Sequence, residues 1–151
     1  MIADRRRLRR HWLLAGIPVA AALVVLSAKV LDVADPCPAP SAAPAADIAL
    51  LPAGLSFDQV GTVTRVWKDE RHVMVKAVTT KPIDEATVLI QEAVTAAGYR
   101  PAGMDNEGFE AEVFFTSGSF AAGQALVRRA ECEGQWNIDL VLLDLSQADG
   151  A

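Results

Sequence analysis

Arg5, Arg6, Arg7, Arg9, Arg10 and His11 run directly into an apolar stretch, residues 12–31, whose sole charge is Lys29. Nothing else in the chain limits its fold as strongly. About 20 apolar residues at ~1.5 Å each are the length of a helix crossing a ~30 Å hydrocarbon core. Trp12 stands where an interfacial aromatic belongs, and Lys29 can extend its ammonium to the far headgroups. Gly16 and Pro18 would weaken a soluble helix but are tolerated in a membrane span. The arginines set the expected orientation, with the N-terminus in the cytoplasm and everything after residue 33 outside.

A cleaved secretory signal is the rival form, since a basic region and an apolar region are both present. A cleavage site is harder to place. A cut after Ala28 puts Leu26 at the minus-three position, and a cut after Ala34 puts Asp32 there. The arginine pair lacks the second apolar residue of a twin-arginine signal. Ala34-Asp35-Pro36 before Cys37 is no lipoprotein box. The expected form is the uncleaved anchor.

The net charge of −5 conceals an asymmetry. Residues 1–11 carry five arginines against Asp4, a balance of +4, whereas residues 48–151 carry eight Lys or Arg against fifteen Asp or Glu, a balance of −7. A basic stub and an acidic outer domain fit a lipid bilayer as partner and argue against nucleic acid. Ten arginines against four lysines, with much alanine, suggest a GC-rich bacterium.

Residues 34–54 read ADPCPAPSAAPAADIALLPAG and hold five of the eight prolines. Alternating Pro and Ala favours extended backbone, so this stretch is expected to be a spacer. The apolar run Ile48-Ala49-Leu50-Leu51 within it is expected to dock on the domain that follows. The two cysteines are Cys37 in this stretch and Cys132 in an expected strand. On the outer side of a membrane they can pair, and two free thiols are the alternative.

The remainder, residues 55–146, is expected to be one small α+β domain: a two-layer unit of antiparallel sheet and one main helix, in β-β-α-β-β-β order. Residues 60–67 and 72–79 are β-branched runs around a charged turn, residues 68–71. Ile83, Ala86, Ile90, Ala93, Val94 and Ala97 recur at helical spacing after Pro82, and Gly98 suits the helix end. Ile90 is expected on the buried stripe, facing Phe109, Val113 or Ile138, with Glu92 in solvent. Residues 99–104 contain Pro101 and are an edge strand or no strand. Phe109, Ala111, Val113 and Phe115 alternate with Glu110, Glu112 and Phe114 as in a half-buried strand. Residues 117–123 read as a flexible connection. Residues 124–132 and 136–145 form a last hairpin, and residues 147–151 a disordered tail.

No constellation carries an obvious chemistry. Asp105, Glu107, Glu110 and Glu112 match no calcium loop, His72 has no nucleophile elbow beside it, and the glycines of residues 118–123 lack a phosphate-binding lysine. No cofactor, metal ligand or catalytic residue is expected. Arg100, Arg128, Glu110 and Glu112 are the candidates for an interaction surface, and Trp67 and Trp136 could line one. The expected function is a non-enzymatic interaction or assembly module of a bacterial cell envelope with a protein partner there. A sensor domain for a small ligand or ion is the alternative, and a secreted hydrolase the next.

Overall fold

The computed structural model describes residues 37–118 and 120–145. The expected cytoplasmic stub (1–11), membrane helix (12–33) with its anchors Trp12 and Lys29, and tail (147–151) lie outside the described residues. Among the described residues, no helix is long and apolar enough to cross a membrane.

Six strands form one antiparallel sheet: β1 (Thr62–Lys68), β2 (His72–Thr79), β3 (Arg100–Asn106), β4 (Glu110–Ser117), β5 (Phe120–Arg129) and β6 (Trp136–Leu143), in spatial order β1-β2-β6-β5-β4-β3. A single-turn helix, α1 (Ala45–Ile48), precedes them, and the main helix, α2 (Ile83–Ala96), connects β2 to β3. The domain is therefore α+β, a sheet layered with one main helix.

Strand parity builds the core. Val73, Val75 and Ala77 on β2, Ile138, Leu140 and Leu142 on β6, Ala125 and Val127 on β5, and Ala111, Val113 and Phe115 on β4 are all buried. They share one core with Ile83, Ile90 and Val94 of α2. The helix lies over the β3-β4-β5 half of the sheet. Ile90 is fully buried and Glu92 exposed, as the helical register requires.

The end of α2 is fixed by local chemistry. Gly98 takes φ 92°, a left-handed position open to glycine, and its N–H bonds the Thr95 carbonyl at 3.0 Å. The next N–H, of Tyr99, reaches back to the Val94 carbonyl at 3.3 Å. This Schellman pairing turns the chain sharply and drives Tyr99 into the core. The Tyr99 hydroxyl then donates to the Leu143 carbonyl at 2.6 Å, tying the helix end to β6. At the other end of α2, the Asn106 amide donates to Asp84 at 2.7 Å, tying β3 to the first helical turn.

Several expectations need correction. Four strands follow the helix, one more than the β-β-α-β-β-β order, because the optional edge strand is formed. The extra one is β3, which accommodates Pro101 because it is an edge strand with a register shift between Pro101 and Gly103. The connection expected to be flexible is a tight hairpin, with Ser117 opposite Phe120. Phe109 precedes β4 in the turn and is 59% exposed, so it does not face Ile90. Cys132 lies in the β5–β6 loop and not in a strand.

From Cys37 onward, the stretch expected to be a spacer belongs to the folded unit. Cys37 is disulfide-bonded to Cys132, with Cα atoms 5.7 Å apart. The Ala43 N–H bonds the Val63 carbonyl on β1 at 2.8 Å. Ala43 and Leu51 pack on the core, and Leu55, Phe57 and Val60 are part of it. Ile48 and Leu50 of the apolar run stay substantially exposed.

Candidate functional site

Among the described residues, no helix lies across the second face of the sheet. Residues paired directly across antiparallel strands point to the same side, so the register reads off what this open face presents. One row crosses the whole sheet: Trp67, Met74, Val141, Gln124, Phe114 and Gly103. It is largely apolar, and Phe114 and Val141 are 38% and 37% exposed.

The neighbouring row reads Arg65, Lys76, Asp139, Leu126, Glu112 and Asp105. Beyond it, Val78, Asn137, Arg128 and Glu110 pair in turn. Charge on this face is divided. Arg65 and Lys76 lie on β1 and β2, whereas Asp105, Glu110 and Glu112 lie on β3 and β4. Near the centre, Asp139 receives two cations, Lys76 at 3.3 Å and Arg128 at 2.9 Å. The guanidinium of Arg65 lies over the Trp67 ring, 5.0 Å from its centroid. That contact holds an amphipathic pair half in water, an arrangement common at binding surfaces.

A groove of about 760 Å³ opens beside the apolar row, with Arg71, His72, Phe114, Gln124, Val141 and Leu143 among its walls. At its β1–β2 end the turn is closed by its own aspartate. One carboxylate oxygen of Asp69 accepts the backbone N–H groups of Arg71 at 2.8 Å and His72 at 2.7 Å. These backbone bonds, that of Arg71 foremost, hold the Asp69 carboxyl below its ordinary value.

The four candidate surface residues all fall on the open face, but they do not form one cluster. Arg128 pairs with Glu110 in register, and Glu112 is one row away. Arg100 pairs with Thr116, six residues along β4 from Glu110, which at ~3.4 Å per residue is about 20 Å. The two tryptophans separate. Trp67 is on the open face, whereas Trp136 packs against the core beneath Arg129. Among the described residues, no three His, Cys, Asp or Glu side chains gather as a metal site.

Met74 and Val141 are among the open-face residues that sequence reading missed. Both sit in runs apolar at nearly every position, where alternation is masked. Phe114 did carry a signal, since it breaks the polar parity of Glu110 and Glu112.

Compared with known proteins, the chain matches no family model, no curated protein and no solved structure.

Proposed function

We propose that this chain is a non-enzymatic interaction module of a bacterial cell envelope, anchored by residues 12–33 with its folded domain outside the cytoplasm. The arginine cluster and the apolar segment support the anchoring. The disulfide fits an oxidising compartment, since such bonds persist outside the cytoplasm. The observation that carries the function is the open sheet face. Its apolar row is rimmed by charges of both signs, the make-up of a protein-binding surface.

The groove favours a second reading, a sensor for a small ligand. Its walls include the cationic Arg71 together with His72, Phe114 and Val141, and its size is within the range of ligand sites.

Photo-cross-linkers placed in turn at Phe114, Val141 and Val88 in intact cells test the first reading. Val88 is an exposed apolar residue on α2 and serves as the control. Protein adducts at Phe114 and Val141 but not at Val88 are expected. Adducts confined to Val88 would move the docking surface to the helix.

A further inference from the structure

We infer that the open sheet face docks on a second copy of the same chain, as a twofold dimer whose axis runs between β5 and β6 along the strands. The inference rests on the reading of this face as a docking surface and names the occupant.

Charge selects the symmetry operator. An axis along the strands, between the two central strands, lays β1 over β3 of the second copy, β2 over β4, and β6 over β5. In the charged row, Arg65 then meets Asp105, Lys76 (which also pairs with its own Asp139) meets Glu112, and Asp139 meets Leu126, twice each by symmetry. An axis along the rows would instead stack each strand on its own copy. Laid on the charged row, that axis brings Asp105 and Glu112 against the same acids of the second copy. A closed dimer needs a self-complementary face, and the first operator makes one of the charged row.

The apolar row fits the same operator. Reversed on itself, it sets Trp67 over Gly103, Met74 over Phe114, and Val141 over Gln124. The largest side chain faces the smallest, and a thioether faces an aromatic ring. Gly103 suits this role because the space above it is open. A Cβ there would meet nothing nearer than the Phe114 ring at 3.9 Å. Asp105 and Glu112 join no ion pair among the described residues, so they are available to a second copy.

The area is sufficient. Six strands at ~4.8 Å and seven residues at ~3.4 Å give a face of about 700 Å² per copy. The pair therefore buries about 1,400 Å², within the ~1,200–2,000 Å² of stable specific interfaces. The free sheet edges are poorer candidates. β3 carries Pro101 and a bulge, and β1 is partly covered by the Ala43 contact.

The test uses the full chain purified in detergent, with mass measured by native mass spectrometry and dissociation followed on dilution. The wild-type chain is expected to be a dimer. Reversing one side, Arg65→Glu with Lys76→Glu, or the other, Asp105→Lys with Glu112→Lys, should weaken it by about 100-fold. Mixing the two reversed chains should restore a heterodimer, because each acidic strip then meets a basic one. Gly103→Leu should also disrupt the dimer while leaving circular dichroism unchanged. A wild-type monomer at ~100 μM, about 100-fold above a micromolar dissociation constant, would overturn the inference. A dimer indifferent to all three changes would do so too, since it would be held together elsewhere. Cross-linking at Phe114 separates the two claims. Adducts to a different protein, with a monomeric wild-type chain, sink the second copy and keep the docking face. No adducts at all sink both.

Discussion

Phe114 and Phe115 are sequence neighbours on β4 with opposite surroundings. Phe115 is 1% exposed and packs in the core, whereas Phe114 is 38% exposed on the open face. The same division runs through every central strand. On the covered face, aliphatic side chains from β2, β4, β5 and β6 meet α2 and the 51–60 stretch. On the open face, an apolar row is bordered by unequally distributed charge. Burial of apolar area on one side is enough to fix the register, because slipping a strand by one residue would exchange the two faces. The second face is thereby free to be shaped for a partner.

The largest expected effect that would break this comparison concerns the disulfide. It closes a loop across a sequence separation of 95 residues, for which the chain-entropy model gives at most ~4.7 kcal/mol. Cys132→Ser in residues 35–151 should lower stability in urea melts by up to that amount. A loss below ~0.5 kcal/mol would mean that residues 37–54 add nothing to the domain and are a spacer after all.

Next comes the helix. Ile90→Ala should cost ~2–5 kcal/mol, since a fully buried aliphatic side chain leaves a cavity beneath α2. The same melts check it, and a loss near zero would detach the helix from the sheet.

A smaller effect is expected at Tyr99, the one tyrosine of the chain. Tyr99→Phe removes the bond to the Leu143 carbonyl and should cost about 1 kcal/mol. Burial first, and then the nearby Asp144, raise the Tyr99 phenol above its ordinary value of 10.0. The folded chain therefore holds this proton more tightly than the unfolded chain. Stability is unaffected below pH 10 and falls as pH rises from there through the raised folded value. Absorbance at the phenolate band should show a single titration above pH 10, moving to the ordinary value in denaturant.

The smallest effect is at Glu92, which is exposed on α2. Glu92→Ala should change stability by no more than ~0.5 kcal/mol. If it matched Ile90→Ala, the helical register would be wrong.

Much of the covered face was legible in the sequence, because it depends on short periods. The spacing of Ile83, Ala86, Ile90 and Val94 and the alternation from Ala111 to Phe115 are local signals. Gly98 followed by Tyr99 marked the helix end for the same reason. What escaped depends on contacts distant in sequence. The 37–54 stretch is ordered by a disulfide to Cys132 and a backbone bond to Val63, and its prolines carry no trace of either. β3 reads as an edge strand or none because it is short and holds Pro101, and its last residues, Asp105 and Asn106, read as a turn. It is a strand because β4 pairs with it. The open-face row joins residues from all six strands, so no window of sequence contains it.

The most direct test of a sheet with one structural face and one docking face is the pair Phe115→Ala and Phe114→Ala. Residue type, truncation and strand are the same, and only the face differs. Urea melts of residues 35–151, repeated at tenfold lower concentration to remove any contribution from association, measure both. The account predicts a loss of ~3–5 kcal/mol for Phe115→Ala and no more than ~1 kcal/mol for Phe114→Ala. Equal losses, or a larger one for Phe114→Ala, would contradict it, because the face assigned to a partner would then be holding the fold together.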